Sequence, residues 1–537
     1  MFMSAKRPNL CQATTREIMM FSLLPLGLFF IQSTVYTALN IYMSDILGFS
    51  MLYVSFIVLG AKLWEAFSGP LAGIVVEHTR TRWGKCRPYL LWASPFLFVT
   101  TALLFFPIVF NSRWDGPNGN RMLFFFALTA YVVYIAAFTA VEIPYNSMTP
   151  LVFPEEKSRV RAVSMSNVIG SLGTILPSLL IFTLADIFGN GHNDPSNRGY
   201  FWAALIFSLI GCAIISGSFF GIKEKIYMPP KQQPYLKGLK IVFRDKRMAI
   251  LMLCSFFSGI INVGSIFLPY FAKWNTIGIL PMEAINGFVN QAFGTDLRLT
   301  STGILTPVLQ IGSGISYMLS MAIIPPLLKK MTKKQLWIWT SLLGAAANVI
   351  VYFVGIYVLP YTTPAGCVAY TALRFFTNFP IGASIVLLID LLADLTDEIE
   401  LANHERLEAT IFSLKSLLFK FAWAIMNMVS LAIVGMVGYD AEKMDRLTNN
   451  GMVPLIQSTV SPSIAGGVNY TRVLNTIFFM LTAFGAIGMI LQAMPMFFYK
   501  EGGADTQERL AAYREEKERE QQAALDAAMM MEVEVRG

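Results

Sequence analysis

Residues 62–88 read KLWEAFSGPLAGIVVEHTRTRWGKCRP. Here an apolar helix that holds Glu65 near its middle runs directly into a loop of basic side chains. A carboxylate at the centre of a bilayer costs about 2.5–3.5 kcal/mol even on the most lenient insertion scales. Because of this cost, a carboxylate within a membrane segment usually has a functional role. We therefore predict a functional role for Glu65.

The composition predicts a protein that crosses a membrane many times. Apolar residues make up 55% of the 537 residues and charged residues 14%, with a mean hydropathy of +0.55, whereas an average soluble domain carries about 25% charged residues. Segments of about 20 apolar residues, long enough to cross a hydrocarbon core, recur without the period-two alternation of barrel strands. They predict twelve transmembrane helices, near residues 17–43, 50–77, 88–110, 121–149, 162–188, 199–222, 248–272, 302–326, 336–359, 364–392, 408–438 and 469–499.

Basic residues predict the orientation. Lys and Arg are concentrated after the second, fourth and eighth predicted spans, around residues 80–87, 157–161 and 329–334. Because positively charged loops stay in the cytoplasm, we predict cytoplasmic termini and a multi-pass protein of the cell membrane, the inner membrane in a bacterium. The net charge of +7 then reflects topology and predicts no nucleic-acid partner.

The sequence does not indicate an enzyme. Its three histidines, His78, His192 and His404, fall in predicted loops, and no nucleophile–base pair or phosphate-binding loop is present. The five cysteines follow no metal-binding or disulfide spacing. We predict no enzymatic activity, no metal site and no cofactor.

The chain divides near its middle. A Pro- and Lys-rich stretch separates the sixth and seventh spans, and an acidic-then-Arg pattern recurs after the fourth and tenth spans. Such weak repetition predicts two similar six-helix bundles with a central cavity between them. The predicted domains are residues 1–222, a linker at 223–247, residues 248–499, and a charged tail at 500–537; residues 273–301 are predicted to form a long outward loop.

Three stretches carry a family resemblance: EAFSGPLAGIVVEHTRTRWGKCRPYL after Trp64, EIPYNSMTP at 142–150, and DLTDEIELANHERLEATIFSLKSLLFK at 394–420. They resemble the glycoside-pentoside-hexuronide:cation symporters, typified by melibiose permease, of the major facilitator superfamily. The resemblance implies an all-α membrane protein with the major facilitator fold, in which twelve transmembrane helices form two pseudo-symmetric six-helix bundles. It also implies transport by alternating access.

The resemblance also implies a cation site on helices II and IV. Glu65 corresponds to the first of two family carboxylates, Ser68 to an asparagine and Thr139 to a hydroxyl partner, but Gly69 stands at the second carboxylate. Hard cations such as sodium prefer several oxygen ligands, whereas a lone carboxyl in a desolvated pocket favours its protonated form. We therefore favour H⁺ over Na⁺ as the coupling ion. The alternative is that Glu65 only pairs with Lys62 or with a helix-XI lysine.

The implied sugar site departs further from the family pattern. Glu142 and Lys420 match family positions, while Phe29, Asn146 and Asn167 replace an acidic residue, a tryptophan and an arginine. Lys420 either attracts an acidic saccharide such as a uronide or neutralises Glu65 or Glu142. Further polar side chains either line the same cavity or only join helices: Gln32, Tyr36, Tyr145 and Lys415.

A set of loop charges resembles the cytoplasmic ionic network of the family. It comprises Arg80, Arg159, Asp394, Asp397 and Arg406. Such pairs can close the inner side of a transporter in one state and separate in the other. We predict that they form a cytoplasmic gate.

The function predicted from the sequence is cation-coupled symport of a saccharide, with an acidic glycoside or uronide as a hypothesis. Its expected partners are a small-molecule saccharide and the lipid bilayer, and a monomer is predicted. Two alternatives stay open: a transporter of lysolipid-like amphiphiles and a non-transporting membrane receptor.

Overall fold

The computed structural model describes residues 14–79, 81–106, 117–153, 156–189, 198–224, 244–293, 298–403, 408–449 and 470–500. Helices dominate these ranges, which contain only one isolated β-bridge, between Thr81 and Gly84. The α-helices are α1 Thr15–Ile41, α2 Met51–His78, α3 Arg87–Leu104, α4 Pro117–Val152, α5 Glu156–Gly189, α6 Arg198–Gly221, α7 Lys246–Ile261, α8 Met282–Phe293, α9 Ser301–Leu327, α10 Lys333–Phe353, α11 Pro364–Asn403, α12 Glu408–Met436, α13 Ala441–Asn449, α14 Tyr470–Leu481 and α15 Ala483–Phe497.

Local sequence explains where several helices begin. The Ser50 hydroxyl accepts a hydrogen bond from the backbone N–H of Tyr53 at the start of α2, and Thr300 does the same for Gly303 at the start of α9. The Asp245 carboxylate accepts from the backbone N–H of Arg247 at 2.8 Å. These side chains satisfy N–H groups that the first helical turn leaves without partners.

Eleven helical segments of the described residues are long and apolar enough to span a membrane. Helix α3, with 18 residues, lies at the remaining predicted span, 88–110. The seventh span continues beyond α7 through a 3₁₀ turn at Asn262–Phe267 to a π turn at Phe271–Asn275. The twelfth span is broken between α14 and α15, where Thr482 leaves the helical conformation.

The helix packing repeats between the two parts of the chain. In the first part, α1 packs against α5 and α6, α2 against α4, and α3 against α4 and α6. In the second part, the corresponding neighbours are α7 with α12 and α15, α9 with α11, and α10 with α11 and α15. The two parts, called here the first half and the second half, meet along α2–α12 and α5–α9.

One predicted loop needs a correction. The 273–301 segment contains the amphipathic helix α8, Met282–Phe293, whose apolar positions recur at helical spacing although its residues are too polar for a membrane span. The predicted linker at 223–247 is described only at 223–224 and 244–247, and the tail beyond residue 500 lies outside the described residues.

Candidate functional site

The Glu65 carboxylate is buried and holds two ammonium groups. Lys62 Nζ lies 2.6 Å from Glu65 Oε2, and Lys420 Nζ lies 3.0 Å from Glu65 Oε1. The Glu65 and Lys62 side chains are only 4% and 2% exposed. Both halves meet at this carboxylate, because Lys62 shares α2 with Glu65 whereas Lys420 comes from α12.

Aromatic groups surround the Lys62 ammonium. It donates a hydrogen bond to the Tyr36 hydroxyl at 2.5 Å and lies 4.1 Å from the centre of the Tyr36 ring and 4.6 Å from that of Trp423. Gln32 donates to the same hydroxyl at 3.3 Å. Ring faces attract cations, so Lys62 occupies a complete cation site built from α1, α2 and α12.

Lys420 also contacts a second carboxylate. Its Nζ lies 3.5 Å from Glu142 Oε2, close enough for an ion pair, but the geometry leaves that buried oxygen without a hydrogen bond. Glu65, Glu142, Lys62 and Lys420, with Tyr36, are called here the charge cluster. Two acids and two ammonium groups make it electrically neutral, as a buried site requires.

The predicted hydroxyl partners lie beside the cluster. The hydroxyls of Ser68 and Thr139 are 3.2 Å apart, and Ser68 donates to the Glu65 backbone carbonyl at 3.1 Å. A side chain at Gly69 would meet no atom within 4 Å of its Cβ. The structure therefore brings Glu65, Ser68 and Thr139 together and leaves open space at the position of the second family carboxylate.

The other predicted substrate residues are more dispersed. Tyr145 is half-buried, with its ring centre 5.5 Å from that of Phe21. Asn146 and Asn167 are exposed, and Lys415 is half-buried outside the charge cluster. Of the predicted substrate residues, Gln32, Tyr36, Glu142 and Lys420 thus converge. Among the described contacts, no hydrogen bond or ion pair links the side chains of the other four to the charge cluster.

The predicted gate is described only in part. Asp394 pairs with Lys333, as does Asp390, so this contact lies within the second half. Asp397 lies on α11, one turn beyond Asp394. Arg80, the side chain of Arg159, and Arg406 lie outside the described residues, so a gate that they form stays a prediction.

The loop after α2 is fixed by an acidic residue that follows α6. The Glu224 carboxylate accepts hydrogen bonds from the backbone N–H groups of Lys85, Cys86 and Arg87 at 2.8–2.9 Å. Burial, reinforced by the Glu224 charge, raises the pKa of the Cys86 thiol to about 12. The basic loop is thus anchored to the first half, and its cysteine stays protonated at neutral pH.

A second buried ion pair joins the halves where α1 ends, on what is called here the far side. Lys273 Nζ lies 2.7 Å from Asp45 Oδ2, and the Tyr439 hydroxyl donates to Asp45 Oδ1 at 2.6 Å. Trp274 Nε1 donates to Tyr439, and the Ser44 hydroxyl lies 2.9 Å from that of Tyr270. Asp45, Lys273 and Tyr439, called here the far-side latch, were not among the residues predicted from the sequence. The only signal of the latch is a lone acid and a lone base at the ends of the first and seventh spans.

A neighbouring contact closes the far side between α5 and α9. Asp186, which is 1% exposed, accepts hydrogen bonds from the backbone N–H and the hydroxyl of Thr300 at 2.8 and 2.7 Å. The Thr183 hydroxyl donates to the Gly303 carbonyl at 2.5 Å. The described conformation is therefore closed on the far side at two places.

Two helical halves that share charged groups deep between them, and that close on one side, define a secondary membrane transporter. The model of the family described as MFS/sugar transport protein matches residues 20–277 and 304–501. The chain belongs to this family. This membership confirms the predicted resemblance, the fold class and the prediction of a transporter rather than an enzyme.

Related proteins span most of this chain. The isoprimeverose transporter of Lactiplantibacillus pentosus is 27% identical over 418 residues, which cover 76% of this chain and 78% of that protein. The glucuronide carrier protein homolog of Escherichia coli strain K12 is 21% identical over 446 residues, covering 82% and 85%. The solved nucleoside transporter NupG has a TM-score of 0.54 at 16% identity, covering 91% of this chain and 100% of that one; this likeness concerns the fold alone.

Proposed function

We propose that this protein is a proton-coupled symporter of a saccharide that works by alternating access in a bacterial inner membrane. The single observation that carries the proposal is the buried Glu65 carboxylate, which binds one ammonium group from its own helix and one from the opposite half. Because this carboxylate has one ammonium partner in each half, a separation of the halves removes one of its two ion pairs.

The occupants of the site favour a proton over sodium. Sodium needs several oxygen ligands in one place, but both Glu65 oxygens already bind ammonium groups, and Gly69 supplies none. The Lys62 ammonium occupies the position between the carboxylate and the aromatic rings. A built-in cation of this kind makes an external metal ion unnecessary.

Separation of the halves supplies a coupling step. When α12 moves away from α2 and α4, Lys420 leaves Glu65 and Glu142, and the cluster loses one positive charge. Glu65 and Glu142 then share the single ammonium group of Lys62, and because burial penalises an uncompensated negative charge, a proton replaces the lost ammonium group in the cluster. The return of Lys420 displaces that proton. Saccharide hydroxyls can bind Glu142, whose Oε2 has no hydrogen bond in the described state.

Alternating access is supported by the far-side contacts. Asp45–Lys273 and Asp186–Thr300 tie the halves together on one side, while the polar residues Asn146 and Asn167 are exposed along α4 and α5. Exposed amides within membrane spans favour a water-filled cleft over lipid. We propose that this cleft opens to the cytoplasm and that both termini lie there.

A saccharide substrate is supported by the names of two relatives, an isoprimeverose transporter and a glucuronide carrier homolog. A cluster of carboxylate, ammonium and hydroxyl groups also suits a solute rich in hydroxyl groups, because each can donate to or accept from it.

The test is uptake into liposomes that contain the purified protein, with labelled methyl glycosides of xylose, glucose and glucuronic acid. We expect a proton gradient directed into the liposomes to drive uphill accumulation of the sugar in sodium-free buffer. A sodium gradient at equal pH on both sides should drive none. Accumulation that requires sodium would overturn the choice of ion. A protein that transports lysolipids but none of the three sugars would overturn the choice of substrate.

A further inference from the structure

The described membrane spans contain one buried guanidinium whose hydrogen-bond partners are neutral, that of Arg374 on α11. The residue is 6% exposed. Its Nε donates to the Ser313 hydroxyl on α9 at 2.8 Å, and its Nη1 donates to the Tyr370 hydroxyl at 2.7 Å. Among the ion pairs of the described residues, none includes Arg374.

An uncompensated guanidinium at this depth is costly. Arg374 lies ten residues into α11, about 15 Å from its far-side end at 1.5 Å per residue, and charged side chains this deep in a membrane helix are usually paired because an unpaired charge is expensive there. Hydroxyl partners satisfy two of its five N–H donors but supply no negative charge. A ligand that brings the missing charge would recover this energy.

The location fits a ligand held between the halves. Ser313 precedes Gly314, at which a Cβ atom would lie 3.9 Å from Ile175 on α5, so the Arg374–Ser313 pair adjoins the contact of the two halves. By the same helical rise, Glu65, fourteen residues into α2, is about 21 Å from the far side. Arg374 is thus about one helical turn farther out than the charge cluster, and below the far-side latch.

The charge cluster does not compete for an anionic ligand. Lys420 is already paired with Glu65 and Glu142, so the earlier hypothesis that Lys420 attracts a uronate has a better candidate in Arg374. We propose, on the basis of the symport function above, that Arg374 binds the carboxylate of an acidic glycoside while the charge cluster contacts its hydroxyl groups. A guanidinium offers a carboxylate two parallel hydrogen bonds, which an uncharged sugar cannot accept in the same way.

The test compares two labelled sugars that differ by one carboxylate, methyl glucoside and methyl glucuronide, in liposome exchange. We expect R374Q to weaken glucuronide binding at least about tenfold while glucoside binding changes less than about twofold. R374K should keep part of the preference, because the charge remains without the planar fork. Y370F removes one hydroxyl and no charge, so it should retain more of the preference for glucuronide than R374Q does. K415Q, which removes a half-buried cation of α12 outside the charge cluster, should leave the preference unchanged.

Several outcomes would overturn the inference. If R374Q and R374K weakened the binding of both sugars equally, Arg374 would have a packing role. If K415Q instead weakened only glucuronide binding, the carboxylate site would be at Lys415. A wild-type protein that exchanges the glucoside but does not bind the glucuronide would remove the anion site and leave the symport proposal intact. A protein that exchanges neither sugar would remove both.

Discussion

At the scale of single residues, the groups that surround Glu65 determine the coupling that we propose. The sequence was sufficient to predict that Glu65, Ser68 and Thr139 lie close together, because a carboxylate in an apolar helix is conspicuous and the resemblance supplied its neighbours. Lys62 could be foreseen as a partner, since residues three apart share a helix face. Lys420 was foreseen as a possible partner of Glu65 or Glu142 from the family resemblance, and the structure shows both contacts. The contact of Trp423 with Lys62 could not be foreseen, because it depends on how α12 packs against α2.

Gly69 offers a gain-of-function test of ion choice. A Cβ at this position meets no atom within 4 Å, so Gly69→Asp adds a second carboxylate beside Glu65 without a steric clash. We expect sodium to stimulate uptake by Gly69→Asp about tenfold, equivalent to ~1.4 kcal/mol of sodium binding, measured as uptake against sodium concentration at fixed pH.

Gly73 provides the matched control for this substitution. It lies one turn further along α2 and has equally open space around its Cβ. Gly73→Asp should leave uptake independent of sodium. Equal stimulation in both variants would mean that added surface charge, rather than a completed ligand set, causes the effect.

At the scale of helices and their ends, the sequence predicted the spans well and the far-side contacts not at all. Apolar segments mark a membrane helix wherever they occur, so α1–α7 and the later spans follow from composition. Asp45 and Lys273 are 228 residues apart, and isolated charges at helix ends are common. Nothing in the local sequence of either residue indicates that they pair. The helix α8 was missed because its polar face resembled a loop.

The far-side latch should set the balance between the two conformations. Asp45→Asn leaves the Lys273 ammonium buried without its acid, which costs about 3 kcal/mol or more, and should shift the population toward the far-open state by roughly 100-fold. The measurement is maleimide labelling of a cysteine placed at Gln32. Cys86 should not interfere at neutral pH, since burial keeps it protonated.

An exposed pair on the same side serves as control for the latch. Lys443 and Asp440 lie 3.3 Å apart and are 51% and 38% exposed, and exposed pairs contribute about 0–1 kcal/mol. Asp440→Asn should therefore leave labelling unchanged. If Asp45→Asn also left it unchanged, the latch would be a structural contact of one state without influence on the equilibrium.

The second far-side contact can be tested without changing any charge. A Cβ at Gly303 would collide with the Asp186 carboxylate that binds Thr300. Gly303→Ala should therefore destabilise the conformation that is closed on the far side by about 1–3 kcal/mol, the usual cost of overpacking. Gly314→Ala on the same helix has its nearest neighbour at 3.9 Å and should be neutral. Identical far-side labelling of the two variants would argue against closure at α5–α9.

At the scale of the whole molecule, the repeated helix packing explains how local contacts become transport. The same neighbour relations in both halves allow one half to rock against the other along α2–α12 and α5–α9. The charge cluster and the far-side latch both bridge these halves, so neither can keep all its contacts in two conformations. The solute and the proton that we propose to bind between the halves would therefore bias the same motion.

The most direct test of this account is the proton movement that accompanies sugar uptake. Cells that express the protein, in weakly buffered sodium-free medium, should alkalinise the medium when a transported glycoside is added. Glu65→Gln should abolish this alkalinisation while sugar exchange across the membrane continues, because the site still forms but no longer exchanges a proton. Unchanged alkalinisation by Glu65→Gln would contradict the account.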